Sequence, residues 1–383
     1  MNAAIDDLLS PLVAFRRDIH AHPELGFEER RTAAIIADKL REIGLEVHEG
    51  VGRTGVVGVL RNGTSGRSIG LRADMDALSI QEQTNLPYAS RTDGVFHGCG
   101  HDGHLAMLLG AAQHLERTRN FDGTVNFFFQ PAEEGLGGAR VMVEEGLFER
   151  FPCDRVFALH NWPDLPAGTI ATRPGPIMGA ADKFEIVLTG KGGHAALPHG
   201  TPDALLAASA LVGQLNTIVS RAIPAVSSAV LSVTQLHGGN AHNVIPASVS
   251  IIGTVRTFDP AIQDLIETRL REMAQGTALS FGVAAQVDYE RYYPATINDE
   301  EAAAEALEIA ATVGTALRAP EPAFTSEDFS FMLQACKGAY IWLGQARGPG
   351  SPALHNPGYD FNDDVLETGL RLHVALAEKL LPA

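Results

Sequence analysis

The chain has 383 residues, 45% of them hydrophobic and 20% charged, a globular composition on a chain longer than the roughly 100–200 residues of one typical domain, so two domains are expected. Its formal net charge of −17 argues against nucleic acid or an anionic membrane as the main partner, because those polyanions demand clustered Lys and Arg. Three widely separated cysteines, Cys99, Cys153 and Cys336, an N-terminus MNAAIDDLLSPLV with no basic residue before its apolar stretch, and no run approaching about 18–20 apolar residues together predict a soluble cytoplasmic enzyme without a disulfide framework, secretory signal or membrane span.

Amphipathic patterns near 2–21 and 27–43 predict helices, and TGVVGVL (54–60) and SIGLRAD (68–74) predict strands. The alternation continues with a helix near 103–118, the apolar strand GTVNFFFQ (123–130), a helix near 136–146 and the strand RVFALH (155–160). Strands this apolar suit a sheet covered by helices on both faces. From about 182 the order becomes strand FEIVLTG, helix DALLAASALVGQL, strand SSAVLSVTQL, strand ASVSIIGTVRTF, helix AIQDLIETRLREMAQGTA and strand VAAQVDYE. This β-α-β-β-α-β order is the ferredoxin-like unit. Helix EEAAAEALEIAATV, strand GAYIWLG (338–344) and a final helix near 363–381 then restore the first texture. The expected fold is a discontinuous α/β domain, residues 1–181 and 293–383, carrying an inserted α+β lid at 182–292.

Chemistry-bearing residues gather at the ends of predicted strands, where open α/β sheets place their sites. Arg72-Ala-Asp74-Met-Asp76 leaves its strand with two alternating carboxylates, a pattern that an Asp-rich surface turn would share. His97-Gly-Cys99-Gly-His101-Asp102-Gly-His104 packs a thiol, three imidazoles and a carboxylate into eight residues. Cys99 and His101, two apart on a Gly-rich loop, suit a borderline-soft divalent metal, whereas a purely structural reading makes Cys99 a buried thiol and Asp102 a helix cap. The formal G-x-G-x-x-G at Gly98, Gly100 and Gly103 does not follow a buried strand, so a dinucleotide reading weighs little.

Gln130-Pro-Ala-Glu133-Glu134-Gly135 closes the most apolar strand. Two adjacent carboxylates there are costly unless metal or protonation neutralises them. Neighbours in an extended segment point opposite ways, so one can bind metal while the other faces the substrate. His160 ends its predicted strand, and His355 lies in Ala-Leu-His-Asn-Pro-Gly. A lone histidine at such a place is more often structural. Here Cys99, His101, Glu134, His160 and His355 make five donors, more than the three protein ligands of a mononuclear catalytic zinc, and with a bridging water they suit two ions.

The motifs DIHAHPELGFEE (18–29), LRADMDAL (71–78), HGCGHDGH (97–104), QPAEEG (130–135), ALHNWP (158–163), GKGGHAA (190–196), HNVIP (242–246), GTVRTF (253–258), SEDFS (326–330) and LHNPGYDF (354–361) cover nearly the whole chain. Jointly they resemble the M20 metallopeptidase family, in its N-acyl-amino-acid amidohydrolase branch of hippurate hydrolases, auxin-conjugate hydrolases and N-acetyl-diaminopimelate deacetylases. The resemblance implies a zinc-peptidase-like catalytic domain in which Cys99, His101, Glu134, His160 and His355 hold two divalent ions, manganese, zinc, nickel or cobalt. It implies Glu133 as general base, Asp76 as a carboxylate orienting a ligand, and Asp74 in the place of a histidine ligand of other branches.

The resemblance also implies a homodimer, or a homotetramer, formed through the lid. His194 then reaches the neighbouring subunit's site to polarise the scissile carbonyl, while Asn243 and Arg256 contact the substrate, Arg256 at its carboxylate. Read as structure alone, His194 could stabilise a Gly turn and Arg256 could pair with Asp259. His20 and His22 carry no reason to be ligands, and His104 is expected to start a helix. The expected activity is hydrolysis of N-acyl-L-amino acids, hippurate-like, to a carboxylic acid and an amino acid, with N-acetyl-diaminopimelate deacetylation or dipeptide hydrolysis as alternatives. A non-catalytic small-molecule binding protein would not need Glu133 beside a full donor set. A hydrolase using Cys99 as nucleophile is separable by metal removal, and no G-x-S-x-G elbow points to a serine enzyme.

Overall fold

The apolar strands assemble, in a computed structural model that describes residues 2–383 and side chains from residue 5 onward, into one eight-stranded sheet. Its order is Glu46–Val51, Gly55–Asn62, Gly123–Gln130, Ser68–Asp74, Arg155–Pro166, Gly338–Ala346, Thr169–Thr172 and Thr315–Arg318. The central strands Gly123–Gln130, Ser68–Asp74, Arg155–Pro166 and Gly338–Ala346 run parallel to one another. Their residues are buried because both faces are covered, except at the Trp162–Pro166 end of Arg155–Pro166, which reaches the surface. Phe127 and Phe129 enter the main core with Leu12 of helix Asn2–Ala21, Leu105 and Leu108 of helix His101–Thr118, and Leu370 of helix Leu366–Leu380. Phe128, pointing the other way, meets Phe148 edge-on at 6.0 Å. The uninterrupted Phe run thus serves two cores, as a strand between two helical layers requires.

Three strands of this sheet carry no apolar signal. Glu46–Val51 and Thr315–Arg318 are the sheet's edges and mostly exposed, and edge strands carry charges and short runs rather than hydrophobic alternation. Thr169–Thr172 is only four residues long. The strand read as Arg155–His160 continues to Pro166, so His160 lies inside a strand, paired with Trp342, instead of ending one.

The chain divides into two compact units. The larger comprises Met1–Ile177, Ile297–Glu321 and Asp328–Ala383, and the smaller Met178–Thr296 with Pro322–Glu327. The smaller unit therefore includes a six-residue segment far outside 182–292, tied in by Gly179 N–H donating to the carbonyls of Ala323 and Thr325, both at 2.9 Å. Its antiparallel sheet has the order Ala229–His237, Ser248–Thr257, Ala180–Thr189, Ala284–Tyr293. Helices Ala204–Thr217 and Pro260–Phe281 cover the face bearing Phe184, Ile186 and Leu188. Each helix starts on an aspartate: Asp203 accepts from Leu205 and Leu206 N–H, and Asp259 from Ala261 N–H. Among the described residues, no helix is long and apolar enough to cross a membrane.

Candidate metal centre

Four parallel strands bring the donors to one place in the larger unit: the segments after Ser68–Asp74, Gly123–Gln130 and Gly338–Ala346 carry Cys99 and His101, Glu133 and Glu134, and His355, while His160 lies within Arg155–Pro166. Ser68–Asp74 alternates so that Arg72 and Asp74 share a face, and Asp76 follows in the loop. The Gly-rich loop after Phe96 turns into helix His101–Thr118 through Gly100, at φ +90, where a Cβ would lie 2.3 Å from Asn161 Oδ1. The helix begins at His101 with Gly100 as its N-cap and no side-chain cap. The cap reading of Asp102 is thereby corrected: its Oδ2 instead accepts from Arg16 at 3.2 Å and His20 at 2.8 Å. His104 does not start the helix but lies in its first turn, one turn on from His101.

The five donor residues converge. Cys99, Glu134 and His355 offer atoms within 4.8 Å of one another, as do His101, Glu133 and Glu134, and also Asp74, His101, His104 and His160. Cys99 Sγ lies 3.5 Å from His160 Nε2. His355 Nε2 lies 3.1 Å from Glu134 Oε1, yet this oxygen makes no hydrogen bond. Donor and acceptor facing a common point, rather than each other, is the disposition of two ligands of one ion. His101 Nδ1–H donates to the Asp76 carbonyl at 2.8 Å, and His160 Nδ1–H to the Asn161 carbonyl at 2.8 Å. Each ring therefore turns its Nε2 lone pair inward, with His101 Nε2 buried and without a hydrogen-bond partner. Metal-ligating imidazoles are oriented in this way.

The electrostatics also suit cations. Burial lowers the pKa of His101, but Asp74, Asp76 and Glu134 overcome it and draw it up to about 10, so positive charge is favoured at this point. Burial, with Glu134, Glu133 and Asp74 around it, holds the Cys99 thiol well above its usual range; a thiolate there needs a cation beside it. His160 is pushed well below the usual imidazole range by burial and then by His104, so its ring is neutral and can donate a lone pair. Orphaned buried atoms, a carboxylate-rich field and an S/N/O donor set all fit divalent metal.

Behind the donors runs a buried polar chain that joins residues singled out in the sequence, Arg72, Asp74, Asp76 and His104 among them, to partners that were not assigned a role there. Arg72 bonds Gln130 Oε1 at 2.7 Å, Asp74 Oδ2 at 2.7 Å and Asp328 Oδ1 at 3.1 Å. The other oxygen of Asp74 meets His104 Nδ1 at 2.6 Å, and His104 Nε2 meets Asn161 Oδ1 at 2.6 Å. Asn161 Nδ2–H donates to Tyr359 OH at 2.9 Å. The Asp76 carboxylate accepts from Glu133 N–H at 3.0 Å and Glu134 N–H at 2.9 Å, while Asp328 N–H approaches Glu133 Oε1 at 3.4 Å. His20 spends both nitrogens on Asp102 and Glu82, and His22 Nδ1 bonds the Asp18 carbonyl. Asp328 and Asn161 gave no signal of their own, because a buried carboxylate or amide is defined by partners distant in sequence.

The remaining expected site residues belong to the smaller unit. His194 pairs with Val244 in a two-stranded ladder, and Ala195 N–H donates to the Asn243 carbonyl at 3.0 Å, so His194 and Asn243 are neighbours, both exposed. Ala196 N–H donates to His194 Nδ1 at 3.1 Å. The half-buried Arg256 bonds Thr254 Oγ1 and the Val255 carbonyl. Asp259 is engaged as a helix cap, and among the described residues no carboxylate ion pair to Arg256 is present.

Comparison with known proteins agrees with this site. Residues 70–379 match Peptidase family M20/M25/M40. The chain belongs to this family. It is 41% identical to the hippurate hydrolase of Campylobacter jejuni over 378 residues, 98% of each chain. It is 38% identical to an N-acetylcysteine deacetylase of Bacillus subtilis over 96% of each. The structure of a putative aminohydrolase from methicillin resistant Staphylococcus aureus superposes with TM-score 0.93 at 31% identity, covering 100% of both chains. Bacillus subtilis YXEP, described as a dinuclear metal binding peptidase from the M20 family, superposes with TM-score 0.87 at 35% identity, covering 98% of this chain and 99% of that one. This M20 chain is thus a metal-binding hydrolase acting on amides, and the dinuclear neighbour together with the donor cluster points to a pair of metal ions.

Proposed function

We propose that this chain hydrolyses N-acyl-L-amino acids, hippurate-like substrates among them, to a carboxylic acid and an amino acid. The observation that carries the reading is the adjacent pair of carboxylates, with Glu134 turned to Cys99 and His355 while Glu133 lies beside it within reach of His101. Two divalent ions, manganese, zinc, nickel or cobalt, held by Cys99, His101, Glu134, His160 and His355, supply an acidified water and positive charge for the amide carbonyl when bound. Glu133 takes a proton as the amide carbon is attacked and returns it to the leaving nitrogen. Asp76 holds the backbone of both glutamates, so neither has to reorganise during the step.

Recognition falls to the smaller unit. With Nδ1 of His194 accepting from Ala196 N–H, the proton of the neutral ring sits on Nε2, which makes that nitrogen a donor for the scissile carbonyl oxygen. We assign this contact to a homodimer in which the histidine serves the neighbouring subunit. Asn243 beside it supplies a further polar contact, and Arg256, without a carboxylate ion pair of its own, takes the substrate carboxylate. The acidic composition and the free Cys99, Cys153 and Cys336 support a reducing, cytoplasmic location.

A second reading, deacetylation of N-acetyl amino acids, including N-acetyl-diaminopimelate, has support because relatives named for it match at 38% and 37% identity, near the 41% of the hippurate hydrolase. One experiment separates these. After chelation, the protein is reloaded with each of the four metals and offered N-benzoyl, N-acetyl and indoleacetyl amino acids and dipeptides. We expect activity to vanish on stripping, return with at least one metal, and favour N-benzoyl substrates. Preference for N-acetyl substrates selects the second reading, and activity surviving metal removal transfers the chemistry to Cys99.

Arg256→Ala is expected to raise KM for acyl-amino acids by about 10- to 100-fold, the size of a charge-assisted contact. An uncharged amide analogue should be affected far less. Equal effects on both substrates reject the carboxylate role.

A further inference from the structure

We infer that Glu29, the last residue of the first motif, is a positioning residue that sets the aim of Glu133 and Glu134, an inference resting on the assignment of Glu133 as base. Ala132, immediately before the pair, has φ +52, the left-handed region that a residue with a Cβ disfavours. Something must hold it there. Its N–H donates to Glu29 Oε1 at 2.8 Å. Three consecutive backbone N–H groups, those of Ala132, Glu133 and Glu134, therefore end on just two carboxylates, Glu29 and Asp76. The second oxygen of Glu29 accepts from the Thr54 hydroxyl at 2.6 Å, so both oxygens of this fully buried side chain are directed.

Glu29 occupies the N-cap position of helix Arg30–Ile43 and makes no side-chain cap. An acidic side chain at a helix start would ordinarily accept the free N–H groups of its own first turn. Glu24 does this instead, accepting from Arg31 N–H at 2.9 Å and Thr32 N–H at 2.8 Å. Glu29 is thereby released to reach another loop. The intervening residues fix the reach: Ala77 N–H donates to the Glu24 carbonyl at 2.8 Å, and Leu25 bridges Ala77. A Cβ on Gly26 would lie 3.0 Å from Ala132 Cβ and 3.1 Å from Ala132 Cα, so this glycine lets the motif lie against the turn. The motif thus grips both the loop of Asp76 and the turn of Glu133. Without Glu29 the Ala132 N–H loses this partner, and the Pro131–Ala132 peptide can turn about the Ala132 N–Cα bond out of the left-handed geometry, shifting the turn from which both carboxylates project. Only the Asp76 bonds to Glu133 and Glu134 N–H and the Gly138 N–H to Ala132 carbonyl bond are left to resist it.

The test compares Glu29→Ala, Glu29→Gln and Glu133→Gln as intact proteins, metal-loaded for kinetics and metal-stripped for titration. It reads kcat, KM and, by visible absorption during cobalt titration, metal affinity. Outer partners of a metal site typically contribute about 10- to 100-fold to affinity or rate. We expect Glu29→Ala to lower kcat and cobalt affinity by about that factor with KM little changed. Glu29→Gln should stay near wild type, because a carboxamide offers an oxygen to Ala132 N–H and an amino group to the Thr54 oxygen. Wild-type kcat and cobalt affinity in Glu29→Ala, or a Gln variant as impaired as Ala, overturns the inference. If Glu29→Ala does not fold, Thr54→Val takes its place and should lower the same two quantities to a smaller extent, with no change counting against the role. Full turnover in Glu133→Gln sinks the base assignment alone, and the cobalt titration, which reports on Glu134, still judges Glu29.

Discussion

Glu133→Gln is expected to bind the same number of metal ions as the wild type and to lose about 10²- to 10⁴-fold in kcat, the range general acid–base groups contribute. The carboxamide keeps the size of the side chain and an oxygen for Asp328 N–H, which lies 3.4 Å from Glu133 Oε1. The Asp76 bond to the Glu133 backbone does not involve the side chain and survives. Only the capacity to take and return a proton is removed. Turnover with saturating substrate, alongside metal content by mass spectrometry, checks it. Retained turnover removes Glu133 from the role of base, and lost metal shows that it served as a ligand.

His194→Ala should reduce kcat by about 10²- to 10³-fold, as loss of one oxyanion donor does, without changing metal content. Mixing it with Glu133→Gln decides where the histidine acts. In a heterodimer with sharing between subunits, the site on the His194→Ala subunit retains Glu133 and receives an intact His194 from the other chain, so one of two sites recovers. If the histidine acts within its own chain, both sites stay impaired. Isolated heterodimers with no recovered activity would refute the sharing.

The first experiment rests on a residue whose place after a strand was readable in advance, whereas the short ladder that carries His194 was not. The Phe run of Gly123–Gln130 and the pattern of Ser68–Asp74 announce buried parallel strands, and both strands lie where their patterns place them. Glu133, Glu134, Cys99 and His101 stand out because uncommon donor types crowd into short segments next to such strands. The edges of the large sheet were not readable, because Glu46–Val51 and Thr315–Arg318 obtain their geometry from pairing with a neighbour rather than from a buried face.

Local pattern determined the central strands, the long helices and the donor inventory, because periodicity and residue chemistry are properties of neighbouring residues. Packing decided the rest: that Asp74 gives both oxygens to Arg72 and His104, that Asp102 serves Arg16 and His20 and caps nothing, and that Asp328 and Asn161 lie behind the donors. A buried polar atom takes whichever partner the fold brings to it, since leaving it unpaired costs about 1–3 kcal/mol. Those partners lie as many as 256 positions away along the chain, as Asp328 does from Arg72, a distance across which sequence spacing carries no geometry.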